Sequence, residues 1–259
     1  MDWDALSPSD QVEAADWIRE RLHGFAVDVG SVIPEGFAAY ARIFHPAWRG
    51  ARGQEAVRWS EIAASTGRAV HPEMQFHMIA APAPGHAVVY PVWRGEPRLG
   101  VLPESQVGAL AGLLSTHTTT RERCWFCLWD GYGYLHAGGM AVFRSYFTGP
   151  GTPPVPEPIA LPAFPPIPSR SRRLVRLPAR DYLLYTGAVE QSAGWPDGPN
   201  LWWPEDRSWC VASEIDFPYT YVGGSDELIA EVLEHPLLEA LPSSIDDGIT
   251  ADSDRVNTP

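Results

Sequence analysis

From Gly149 to Pro168 the chain reads GPGTPPVPEPIALPAFPPIP, nine prolines in twenty residues. Proline locks φ and removes a backbone donor, so this stretch is excluded from a helix interior or a central strand. It is expected as extended polyproline. The fold must therefore be assembled from the segments on either side. Two arrangements satisfy that: a semi-rigid linker between two domains, or a surface excursion within one domain across which strands pair. The segment from about 170 to 242 offers strand patterns in RLVRL, YLLYTG, LWW and SWCVASEID but one clear helix, which is thin for an independent core. The expectation is a single α+β domain over residues 1–242, with a mainly antiparallel sheet, helices in the N-terminal half and one C-terminal helix. Residues 243–259, SSIDDGITADSDRVNTP, hold few apolar side chains and read as a disordered acidic tail.

Periodicity and punctuation place the elements. Residues 10–23 predict a helix, capped by Ser9 or Asp10, with Val12, Ala15, Ile18 and Leu22 on one stripe and Gly24 at its end. FAVDVG follows as a strand. Pro34 opens a second helix with Phe37, Tyr40, Ala41 and Phe44 at i, i+3, i+4 and i+7, and GQEAVRWSEIAAST is a third. MQFHMIA and HAVVYPVW suggest strands, and Pro103 starts a helix carrying Val107, Leu110, Ala111 and Leu114 on one face. RCWFCLW and MAVFRSYF are two further strands joined through the Gly-rich DGYGYLHAGG. Near the end, Gly223-Gly224 turns the chain, Ser225 caps a helix, and His235-Pro236 stops it. VGSVIPEGFAAYARIFHP and VGGSDELIAEVLEHP echo one another, more as two uses of one strand-turn-helix stop than as a duplication.

The basic residues exclude whole classes of chemistry. All nineteen are arginine, so no lysine can serve as a Schiff base, a phosphate-loop cation or a general base. A net charge of −13 argues against a general nucleic-acid binder. The patch SRSRRLVRLPAR gathers Arg170, Arg172, Arg173, Arg176 and Arg180. It is read as a solvated strand edge or an intramolecular partner for carboxylates rather than a binding site. MDWDALSPSD lacks the charged and apolar regions of a signal peptide, no apolar run spans a bilayer, and three cysteines do not suit a secreted disulfide framework. A cytoplasmic, reduced setting with no membrane contact is expected.

Three motifs carry candidate chemistry. Cys124-x-x-Cys127 is a metal knuckle, a redox pair or part of a core strand. Structural zinc wants four ligands, and here only the distant Cys210 and a histidine such as His117 or His136 could join the pair. A redox pair needs a helix directly after its first cysteine, whereas this one leads into a Gly-rich turn. As a strand, the stretch places the two thiols on opposite apolar faces, which is the favoured reading. In HPEMQFH, an extended backbone would put His71, Glu73 and His77 on one face as a ligand set for zinc or iron, set against the plainer reading of a loop histidine and a solvated carboxylate. NLWWPEDRSW reads as a hairpin whose turn is Pro204, Glu205, Asp206 and Arg207. Trp202 and Trp203 are adjacent, so one faces away from the core as a binding edge unless a further layer, such as PAFPPIP, covers it. Asp130, Glu214 and Asp216 could pair for acid–base work, but nothing in the sequence brings them together. Asp130 and Tyr132, where RCWFCLW meets its Gly-rich loop, are the polar groups most suited to a site.

RCWFCLWDGYG and NLWWPEDRSWCVASEIDFPYTYVGGS resemble segments of a protein family of GC-rich Gram-positive bacteria that carries no assigned activity. The resemblance spans most of the chain and implies a bacterial cytosolic protein, and nothing about mechanism. The functional expectation is a non-enzymatic binding or interaction protein, in an accessory or immunity-type role, with a protein partner of basic character and no cofactor. Its binding residues are expected to be Trp202, Trp203, Glu205, Asp206, Arg207, Asp130 and Tyr132. The alternative is a metal-dependent hydrolase using His71, Glu73 and His77 or the cysteines.

Overall fold

The computed structural model describes residues 6–24, 27–50, 55–87, 91–136, 173–178, 180–193, 195 and 198–258. The proline-rich stretch 149–168, the expected strand MAVFRSYF, Arg170 and Arg172 lie outside them. The frame is a nine-stranded antiparallel sheet that draws strands from both sides of the proline-rich stretch. Its strands are β1 (Ser7–Ser9), β2 (Ala39–Phe44), β5 (Cys124–Trp129), β6 (Val175–Leu177), β7 (Arg180–Gly187), β8 (Leu201–Pro204), β9 (Cys210–Ala212), β10 (Tyr219–Gly224) and β11 (Ala240–Ser243). β3 (Ala47–Arg49) and β4 (Glu55–Val57) form a separate ribbon. The order is β1-β7-β5-β8-β9-β10-β2-β11, with β6 also paired to β7. The architecture is therefore α+β with a mainly antiparallel sheet, as the sequence pattern implies.

Both faces of the sheet are covered, and the side-chain alternation of each strand shows it. Trp125, Cys127, Leu184, Trp203, Tyr219 and Tyr221 enter one core, beneath Trp17, Ile18 and the helices α2 (Trp59–Thr66) and α3 (Phe76–Ala80). Cys124, Phe126, Tyr185, Trp202, Val211 and Val222 enter the other, beneath α4 (Glu104–Thr116) and α6 (Asp226–Glu234). Short helices α1 (Asp16–Arg19) and α5 (Gly133–His136) complete the set among the described residues. Ser225 Oγ accepts from the Leu228 N–H at 3.2 Å, the cap expected for α6. α2 ends at Gly67, whose φ of 70° only glycine adopts without strain. Its first N–H groups are satisfied from far away: Glu239 accepts from Trp59 N at 2.6 Å and Ser60 N at 2.7 Å. No helix among the described residues is long and apolar enough to cross a membrane.

Several local expectations are corrected. The helix predicted from Pro34 is instead β2, paired with β10 and β11. A strand buried on both faces lacks polar alternation, so chance apolar spacing imitates a helical stripe. MQFHMIA follows a turn and is mostly α3 rather than a strand, and GQEAVRWSEIAAST yields β4 and α2 in its described part. The helix of 10–23 shortens to a 3-10 turn (Val12–Ala15) and α1. The described part of FAVDVG leads into a 3-10 turn at Val29–Ser31, so the echo with the β10–α6 unit is no structural repeat. The described part of HAVVYPVW carries no strand.

Residues 243–258 are packed rather than a disordered tail. Ile249, Asp254 and Asn257 are buried. Val29 N and Gly30 N donate to Asp247 O and Ile245 O at 3.0 and 2.9 Å, and the Tyr219 hydroxyl donates to Ile249 O at 3.2 Å. Composition misleads here because polar side chains anchor this segment, replacing the apolar contacts that composition measures.

Candidate functional site

The thiols are core atoms. β5 lies between β7 and β8, with Cys124 facing the core under α4 and Cys127 facing the opposite core with Cys210. Three cysteines on two sides of a sheet cannot close on one ion. Burial pushes the Cys124 thiol up to about 12, and it pushes Cys127 and Cys210 up as well.

The hairpin forms as read, but its tryptophans are not a binding edge. Trp202 and Trp203 are 2% and 1% exposed. Trp202 stacks on Phe126 with centroids 6.1 Å apart and meets Trp209 edge-on, while Trp203 meets Trp17 edge-on at 6.2 Å. An alternation that exposes one residue of a Trp pair requires a bare sheet face, and this sheet has none. The polar residues of the turn bolt the hairpin down. Glu205 accepts from Trp125 Nε1 at 2.6 Å. Asp206 accepts from Thr119 N at 2.7 Å and from the Thr118 and Thr119 hydroxyls at 2.8 Å. Burial raises the Asp206 carboxyl, but donors from Thr119, Thr118 and Ser208 outweigh it and leave the pKa below the usual value. Arg207 adopts φ 56° with its guanidinium 5.6 Å from the Trp17 ring.

A more promising constellation lies where β5 and β7 meet the β8–β9 end. Asn200, 4% exposed, accepts from Trp129 N at 2.8 Å and donates Nδ2 to the Tyr132 hydroxyl at 3.0 Å. Tyr132 meets Trp129 edge-on at 5.3 Å. The Arg180 guanidinium also lies 5.2 Å from the Trp129 ring and bonds Glu214 at 2.6 Å and Asp216 at 3.1 Å. Two of the three carboxylates that the sequence could not bring together, Glu214 and Asp216, thus converge on one arginine. Asp130 N donates to Asp181 O at 2.9 Å, setting Asp130 beside the residue that follows Arg180. Leu22, Val32, Tyr182 and Asn200 line a cleft of about 30 Å³ next to Arg180 and Glu214. Burial pushes the Tyr182 phenol above its ordinary value, so it stays protonated. Asn200 went unseen in the sequence, because an Asn before a strand reads as turn punctuation.

His71, Glu73 and His77 do not converge. His71 Nε2 lies 2.7 Å from Asp254 Oδ1, Glu73 accepts from Gly248 N at 2.9 Å, and His77 is exposed on α3. The single extended face that would join them does not exist, since 76–80 is helical. Of the basic patch, Arg173 pairs with Glu13 at 2.6 Å, and Arg180 pairs as above, which matches the reading of intramolecular partners. No family model, no curated protein and no solved structure matches the chain.

Proposed function

We propose that the protein is a non-enzymatic binding protein that docks a basic protein partner on the face around the Arg180 cleft. The observation that carries this reading is the convergence of Glu214 and Asp216 on one arginine, beside the half-buried rings of Trp129 and Tyr132 and next to the backbone-paired Asp130 and Asp181. Asp216 is 69% exposed on its side chain, and Asp181 is exposed. Arg180 holds the carboxylates in place, and the aromatic rings offer a platform for a cation. The net charge of −13 adds long-range attraction toward a positive surface. The metal-dependent hydrolase built on His71, Glu73 and His77 has no comparable support, because two of its three ligands anchor the C-terminal segment.

The test is fluorescence anisotropy with a labelled oligoarginine peptide. Asp181→Arg with Asp216→Arg is expected to weaken binding roughly tenfold, equivalent to about 1.4 kcal/mol. Glu122→Arg with Glu234→Arg makes the same change of net charge on other exposed positions and should leave affinity within about twofold. Equal losses in both double variants would mean attraction by net charge alone and would sink this site.

A further inference from the structure

We propose that His23, Asp28 and Asp246 form a site for a divalent transition-metal ion of the zinc class, which clamps the C-terminal segment onto the N-terminal loop. Each residue offers one ligand atom, and those atoms lie within 4.8 Å of one another. This assignment is independent of the partner-binding reading.

The geometry supports it at three levels. His23 Nδ1 and Asp28 Oδ2 are 3.0 Å apart. An octahedral dication with bonds of about 2.1 Å sets neighbouring ligands about 3.0 Å apart. The other ring nitrogen, Nε2, lies 3.4 Å from Glu35 Oε2. A carboxylate behind a histidine is the arrangement that fixes the tautomer of a metal ligand. A proton on Nδ1 makes this contact a hydrogen bond to Asp28 when no metal is bound; with the proton on Nε2 facing Glu35 instead, the Nδ1 lone pair is free for a metal ion that takes the place of that proton beside Asp28 Oδ2. Among the described residues, the ion pairs of Asp28 and Glu35 are those with His23, so no arginine competes with a metal ion there.

The backbone holds the three ligands in register. His23 N donates to Gly30 O at 2.8 Å, and the imidazole lies so close to Gly30 that a Cβ there would come within 2.4 Å of the ring. Asp28 Oδ1 accepts from Ser31 N at 3.0 Å, which turns Oδ2 toward His23. Asp28 also bridges to Gly248, and the bonds from Val29 N and Gly30 N grip Asp247 and Ile245 on either side of Asp246. His23 and Asp28 are 28% and 21% exposed, so water can complete the coordination. One imidazole with two carboxylates suits zinc, manganese, cobalt or nickel better than the all-oxygen ions calcium and magnesium. Nothing in the local sequence marks the site, because Asp246 lies more than two hundred residues from His23 and Asp28.

The experiment is isothermal titration of chelator-treated full-length protein with Zn²⁺, Mg²⁺ and Ca²⁺, with metal analysis after dialysis. Asp246 is exposed, so Asp246→Asn should fold as the parent does, checked by circular dichroism and urea denaturation. The expected result is one zinc per chain, weakened at least roughly tenfold in Asp246→Asn and in His23→Gln. His77→Gln, at an exposed histidine outside the cluster, should bind as the parent does. Zinc should also raise the parent's thermal midpoint but not that of Asp246→Asn. Zinc binding unchanged in Asp246→Asn, no saturable binding below about 1 mM, or preference for magnesium or calcium would each overturn the assignment.

Discussion

His45 is fully buried, with Nδ1 2.7 Å from Arg98 O and Nε2 2.8 Å from Thr220 Oγ1. A carbonyl can only accept, so Nδ1 carries the proton and Nε2 accepts from the Thr220 hydroxyl. Thr220 Oγ1 is then left to accept from Ser213 Oγ at 2.7 Å. A neutral imidazole satisfies the ladder, and burial drives the His45 pKa down to about 4. The sign follows from linkage. The unfolded chain protonates near 6.5 and the folded one near 4, so the unfolded state binds more protons between those values. Stability is complete above pH 6.5 and falls as pH drops through that window, by up to about 1.4 kcal/mol per unit. Urea midpoints of the parent at pH 7 and pH 5 should show this fall, and a flat profile would contradict it. Arg42 shows the opposite case of a charge in the core: 1% exposed, it donates to Pro72 O at 2.6 Å and lies 3.6 Å over the Tyr219 ring. A lone arginine among apolar residues is compatible with an amphipathic helix or a strand, so it does not mark β2 as buried.

Among the elements, β5 and the β8–β9 hairpin were legible and β2 and α3 were not. In β5 and the hairpin the signal is local: consecutive large apolar residues in β5, and a turn of Pro204 to Arg207 between two strand runs. β2 takes its identity from β10 and β11, whose paired residues lie 175 to 203 positions away, and no window of sequence carries that information. The candidate site behaves likewise. Asp130 and Tyr132 could be singled out at a strand end, but Arg180, Asn200 and Glu214 join them only through the pairing of β5 with β7 and β8. Two measurements check the local account. All three thiols should resist a disulfide reagent until the protein is unfolded, and a fast-reacting thiol in the native state would refute the core placement of its strand. Asp206→Ala removes the acceptor for three donors that tie the hairpin to the loop before β5 and for Ser208 N within the turn, and should cost about 1–3 kcal/mol in urea denaturation.

At the scale of the whole molecule, the C-terminal segment closes the face that α2 and α3 leave open. Asp254 is the post on which it turns. Its side chain is 0% exposed and accepts from Gln75 N at 3.1 Å, Asn257 N at 2.9 Å and Asn257 Nδ2 at 3.0 Å, with His71 Nε2 2.7 Å away. Asn257 in turn bonds both the N–H and the C=O of Ala69. Residues 69–75 are thereby held through buried polar bonds to a segment that composition assigns to solvent. Asp254→Ala strands several buried donors at once, so the expected loss is about 3 kcal/mol or more. Asp254→Asn keeps the shape but loses the charge and one acceptor, and should cost less. If the segment is integral, removal of residues 244–259 should do at least as much damage, and amide exchange at Val29 and Gly30 should accelerate because their acceptors, Asp247 O and Ile245 O, leave with it. A truncated protein with the parent's denaturation midpoint and protected amides at Val29 and Gly30 would show that the segment only rests on the fold. In that case Asp254→Ala should also be nearly silent, and the two results together would return residues 243–259 to the status of a tail.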